Sequence, residues 1–89
     1  MNNTYQIYLI SDSTGETLDR IFLALKAQFK NFDYSINQYS FTRTENQILK
    51  ILDKIQKKEN AIILYTIVDV KLARFLKKKC AEKKFPCFS

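Results

Sequence analysis

The chain has 89 residues, 46% hydrophobic and 27% charged, with one glycine, one proline and a formal net charge of +6. This is a globular composition, not a disordered, collagen-like or low-complexity one, and a unit of this size buries about 60–65% of its unfolded surface, enough for one modest core. No apolar run approaches membrane-spanning length, and the absence of histidine removes the commonest general base and a common zinc ligand.

Tyr5-Gln6-Ile7-Tyr8-Leu9-Ile10 is a short, β-prone and mostly apolar run that passes directly into the polar turn Ser11-Asp12-Ser13-Thr14-Gly15. It reads as a buried parallel strand. From Glu16 to about Lys30 the period becomes helical, with Leu18, Ile21, Phe22, Leu25 and Phe29 on one apolar stripe. Asn31-Phe32-Asp33 is a turn. Tyr34 to Phe41 is a second strand whose mixed faces suit a position near a sheet edge.

Thr44-Glu45-Asn46-Gln47 has the form of a capping box. The helix it opens turns Ile48, Ile51, Leu52 and Ile55 inward and closes at Lys58-Glu59-Asn60. Ala61-Ile62-Ile63-Leu64-Tyr65 is apolar on both faces, as a central parallel strand should be. Thr66-Ile67-Val68 leads to Asp69, a good N-cap for a third helix that packs through Leu72, Ala73, Leu76 and Cys80. Phe85-Pro86-Cys87-Phe88-Ser89 begins a fourth strand.

The order is βαβαβα plus a strand beginning. It specifies one α/β domain over residues 1–89, three layers around a parallel sheet, the front half of a Rossmann-like arrangement. Tyr8, Tyr65 and the phenylalanines fall on packing positions.

The positive charge is concentrated after residue 49, where Lys50, Lys54, Lys57, Lys58, Lys71, Arg74, Lys77, Lys78, Lys79, Lys83 and Lys84 face only Asp53, Glu59, Asp69 and Glu82. Lysine predominates and no aromatic residues are spaced as a stacking platform, so solvated helix faces are favoured over nucleic-acid contact. Cys80 and Cys87 lack Cys-x-x-Cys spacing and read as reduced thiols. Met1 to Gln6 lack the basic start and apolar stretch of a secretory signal. Both features point to a cytoplasmic protein with no membrane or metal partner.

Open parallel sheets bind ligands beyond the carboxyl ends of their strands. The loops gathered there are Ser11–Gly15, Thr42-Arg43-Thr44 and Thr66–Asp69. The first combines hydroxyls, a glycine and a helix start whose open N–H groups favour anions. Two readings stand side by side: a phosphate-facing turn, or a simple Ser13-x-x-Glu16 capping box. Asp12 and Glu16 oppose an anion unless they are turned away. Arg43 is the cation that strand order brings to the turn, either as a bidentate phosphate donor or as an ordinary surface arginine. Asp69 is accounted for by capping.

The string Tyr8-Leu9-Ile10-Ser11-Asp12-Ser13-Thr14-Gly15-Glu16-Thr17 resembles the opening of the pyruvate, phosphate dikinase/phosphoenolpyruvate synthase regulatory protein family. Phe29 at the first helix end, Arg43-Thr44, the run Leu64 to Asp69, Leu72 and Cys80 agree with it in order and spacing. The resemblance implies a bifunctional serine/threonine kinase and phosphorylase. It implies ADP-dependent phosphorylation of a threonine on the dikinase (or action on the synthase), and phosphate-dependent removal of that group as pyrophosphate.

Family members are considerably longer, and their nucleotide-binding P-loop lies beyond position 89. No glycine-rich stretch precedes a Lys-Ser or Lys-Thr pair here. The expectation is therefore an amino-terminal portion that acts with a separately encoded second half, with a non-catalytic module binding phosphate or the dikinase, or a decayed remnant, as alternatives. Ser11, Ser13, Thr14, Gly15, Thr17 and Arg43 are the phosphate-binding candidates, ADP and phosphate the implied substrates, and no residue carries a catalytic assignment.

Overall fold

Short apolar runs alternating with amphipathic stretches fold as expected in the computed structural model, which describes residues 4–27, 33–56 and 60–88. The elements are β1 (Tyr5–Ser11), α1 (Glu16–Lys26), β2 (Tyr34–Tyr39), α2 (Glu45–Ile55), β3 (Ala61–Thr66), α3 (Val70–Lys83) and β4 (Cys87–Phe88). All strand pairs are parallel and the sheet order is β2-β1-β3-β4. β1 and β3, the two most apolar runs, are interior, and the mixed-face strand β2 forms an edge, as its pattern predicts.

The register divides the side chains between two faces. Tyr8 and Ile10 of β1 share one face with Ile63 and Tyr65 of β3, where α2 supplies Ile48, Ile51, Leu52 and Ile55, and α3 supplies Leu72, Leu76 and Cys80. Ile7 and Leu9 share the other face with Leu18 and Phe22 of α1. The result is a three-layer α/β/α arrangement, with two helices on one side and one on the other among the described residues.

Caps set the helix starts. The capping box of α2 is complete: the Thr44 hydroxyl accepts the Gln47 N–H at 3.1 Å, and the Gln47 carboxamide accepts the Thr44 N–H at 3.0 Å. The Asp69 carboxylate accepts the Leu72 N–H at 3.1 Å and caps α3, a bond of the kind worth about 1 kcal/mol.

Several expectations are corrected. The second strand stops at Tyr39, because Phe41 turns the backbone to φ +55°, and Phe41 is exposed rather than packed. Phe88 and Ile21 are also exposed, since among the described residues α1 is the one helix on its face of the sheet. Phe29, the turn at Asn31-Phe32, Lys58 and Glu59 at the proposed end of the second helix, Ser89 and the Leu25 side chain lie outside the described residues. No helix among the described residues is long and apolar enough to cross a membrane.

Candidate functional site

β1 is flanked by β2 on one side and β3 on the other. The chain leaves β1 for α1 on one face and leaves β3 for α3 on the opposite face. In sheets of this kind, that switch in strand order is where ligands settle, at the carboxyl ends of the strands. The Ser11–Gly15 turn occupies this position.

The turn is fixed by its carbonyl oxygens. The segment joining β2 to α2 donates to four of them in succession. Ser11 O accepts from Thr42 N at 2.8 Å, and Ser13 O from Phe41 N at 3.0 Å. Asp12 O accepts from Arg43 Nε at 3.0 Å, and Thr14 O from the Ser40 hydroxyl at 3.1 Å. The left-handed backbone at Phe41 brings this segment back against the turn.

The other side of the turn is held by β3. Asp12 N donates to Thr66 O at 3.3 Å, and the Thr66 hydroxyl donates to Ser11 Oγ at 3.4 Å. The Asp12 carboxylate accepts Val68 N at 2.8 Å, so this acid is drawn across to the loop after β3.

What remains open is a row of donors. Asp19 N makes the first bond of α1, to Gly15 O at 2.9 Å. The backbone N–H groups of Thr14, Gly15, Glu16, Thr17 and Leu18 have no hydrogen-bond acceptor among the described residues. α2 and α3 have side-chain caps; α1 begins after Gly15, which has no side chain to offer. The Ser13-x-x-Glu16 capping box does not form. Ser13 lies too far ahead of the helix, and its hydroxyl instead meets that of Ser11 at 3.2 Å.

The candidate residues therefore divide by role. Ser11 is buried, and its hydroxyl accepts Ser13 N at 3.1 Å, organising the turn from within. Ser13, Thr14 and Thr17 are exposed at its surface. Gly15 is buried at φ +86°, a conformation that side chains resist, and a Cβ there would come within 2.7 Å of Gln38 Nε2. Arg43 joins the turn through Nε, its guanidinium lies 5.2 Å from the Phe41 ring centroid, and its Nη groups make no hydrogen bond among the described residues. A row of open N–H groups at a helix start, with a guanidinium alongside, suits the oxygens of a phosphate.

Composition pointed to the hydroxyls. Strand order placed the loops of Thr42 and Val68 at this end of the sheet, but it did not reveal that Ser40, Thr42 and Val68 hold the turn by hydrogen bonds to Thr14, Ser11 and Asp12. Thr42 is buried with its hydroxyl on Tyr39 O at 3.3 Å.

The chain matches the family model described as kinase/pyrophosphorylase over residues 7–89. It is 71% identical, over its whole length, to a pyruvate, phosphate dikinase regulatory protein of Pelagibacter ubique, of which it covers 32%. It is 44% identical over 96% of its length to the protein of that name from a Chelativorans species, covering 31% of it. With the one from Bartonella quintana the identity is 37% over 94% of this chain, covering 30% of that protein. The chain thus spans about a third of the length of the curated relatives it matches.

Proposed function

Since the chain belongs to the kinase/pyrophosphorylase family, we propose that it carries the phosphate-facing turn of a regulatory protein that phosphorylates and dephosphorylates pyruvate, phosphate dikinase. The observation that supports this turn as the phosphate site is the division of its backbone. The carbonyls of residues 11–14 are occupied by the β2–α2 segment, and the N–H groups of residues 14–18 have no acceptor among the described residues.

Phosphoryl transfer asks little covalent chemistry of a protein and much positioning and charge stabilisation. In the forward direction a threonine oxygen of the dikinase attacks the terminal phosphorus of ADP, the bond from that phosphorus to the bridging oxygen breaks, AMP leaves, and the hydroxyl proton passes to solvent. In the reverse, an oxygen of inorganic phosphate attacks the phosphothreonine phosphorus, the P–O bond to threonine breaks, and pyrophosphate leaves. The row of N–H groups, with Arg43 beside it, would hold the oxygens of one such phosphate. Ser13, Thr14 and Thr17 present hydroxyls at its rim. A cytoplasmic setting is part of this reading, in keeping with the two free thiols.

A second reading is a module that binds phosphate or the dikinase without transferring anything. It is favoured by the lack of a Gly-rich, Lys-Ser/Thr loop in these residues.

A transfer assay separates the two. The chain is incubated with pyruvate, phosphate dikinase and ADP, and threonine phosphorylation is read by mass spectrometry. In parallel, the chain is joined to the part of the Pelagibacter relative that lies beyond the match. The expected result is phosphothreonine with the joined polypeptide and none with the 89 residues alone. A joined, folded polypeptide that leaves the dikinase unmodified would overturn the first reading.

A further inference from the structure

Among the described residues the two faces of the sheet are covered unequally: twelve buried residues form the core under α2 and α3, against four under α1. The register shows which described side chains on the α1 face are less covered. Ile62 pairs with Ile7 and Leu64 with Leu9, so both lie on the α1 face. Phe88 pairs with Leu64, which places it on that face at the outer strand. Ile62 and Leu64 are only half-buried, and Phe88 is 57% exposed. On α1, Ile21 flanks the buried pair Leu18 and Phe22 and is 40% exposed. Ile62, Leu64 and Phe88 thus form an apolar strip across β3 and β4, and Leu64 packs against the cluster under α1.

A parallel sheet is stable when helices cover both of its faces, because its strands are apolar on each side. The occupant of the strip is identified by the size of the family fold. About two thirds of the length of the curated relatives lies outside the match with this chain. We infer that the strip over Ile62, Leu64 and Phe88 is the seat of an amphipathic helix from that remaining part of the family fold, lying alongside α1 and completing the second helical layer. The inference rests on family membership and sheet register, and is independent of the phosphate reading of the Ser11–Gly15 turn.

Hydroxyl-radical footprinting tests it without measuring activity. Side-chain oxidation is compared between the 89-residue chain and the same chain joined to the remaining part of the Pelagibacter relative. Oxidation of Leu64 and Phe88 should fall at least fivefold in the joined polypeptide, and the melting temperature should rise. Phe41 and Val68, exposed in the loops at the carboxyl ends of the strands, should serve as the comparison, with smaller changes. In the joined polypeptide, Leu64→Glu should restore the oxidation of Phe88, whereas Val68→Glu should not. Unchanged oxidation of Leu64 and Phe88 would overturn the inference, as would a joined polypeptide with no cooperative melt. Protection that appears in the 89-residue chain alone as its concentration rises, with dimers by ultracentrifugation, would assign the strip to a second copy instead and equally overturn it.

Discussion

The Asp12 carboxylate accepts the Val68 backbone N–H at 2.8 Å, joining the turn after β1 to the loop after β3. One bond thus links the two loops on either side of the strand-order switch, and it also draws the acid of the turn away from the start of α1. Asp12→Ala should destabilise the chain by about 1 kcal/mol, the ordinary net worth of an exposed hydrogen bond with one charged partner. Asp12→Asn keeps an acceptor oxygen and should lose less than half as much. Urea unfolding midpoints check this. Equal stability of all three proteins would mean that the bond contributes nothing.

Gly15 carries a different constraint. A side chain at φ +86° is strained whatever the space around it, so Gly15→Ala should cost about 1–2 kcal/mol. The close neighbour of the added Cβ is the far end of the flexible Gln38 side chain, which can move. Adding Gln38→Ala should therefore recover little of the loss. Full recovery in the double variant would show that crowding, not backbone strain, sets the requirement for glycine.

The three helix starts should respond unequally to removal of their hydroxyl or carboxylate residues. Thr44→Ala and Asp69→Ala each remove a formed cap and should cost about 1 kcal/mol. Ser13→Ala removes no cap, and its loss should stay within about 0.5 kcal/mol, as for an ordinary surface position. Thermal unfolding of the three variants gives the comparison. A Ser13 loss matching the other two would restore the capping box that the geometry denies.

Cys80 and Cys87 face one another between α3 and β4, and their titrations diverge. Cys80 is pushed upward because its S–H donates to Cys87, and burial adds to this. Cys87 is lowered by that hydrogen bond, with burial opposing and Lys77 assisting. At pH 7, iodoacetamide should therefore modify Cys87 well before Cys80, and Lys77→Ala should slow it. The stability consequences have opposite signs. The raised Cys80 stabilises the fold below the unfolded thiol value of about 8.5, and that contribution is lost as pH rises further. The lowered Cys87 stabilises it above that value, and its contribution is lost as pH falls through the folded value. Peptide mapping after timed alkylation reads the order. Modification of Cys80 first would contradict the pairing.

Much of the fold was legible because its signals are local. Ala61 to Tyr65 could only be an interior strand, Thr44 and Gln47 declare their helix start, and Asp69 declares another. The extent of the second strand was not legible, because the left-handed turn at Phe41 is imposed by contacts with a segment some thirty residues earlier, through Phe41 N on Ser13 O. The exposure of Ile21 was hidden for a related reason: a helical stripe shows which side of a helix is apolar, not how much neighbouring structure meets it. At the site, the hydroxyls of Ser11, Ser13 and Thr14 drew attention by type. The more telling feature is the row of backbone N–H groups from Thr14 to Leu18, which no side-chain alphabet records.

That row is the central claim, and calorimetric titration with inorganic phosphate tests it most directly, using Glu16→Ala and Glu16→Pro side by side. Alanine removes the charge of Glu16 and keeps its N–H. Proline removes the N–H at the first helical position, where its ring is tolerated. The account predicts saturable binding of phosphate to the chain, kept or strengthened in Glu16→Ala. In Glu16→Pro it should weaken about tenfold, as loss of one charge-assisted hydrogen bond of ~1.4 kcal/mol requires. No heat with the unaltered chain, or equal binding by the two variants, would contradict it.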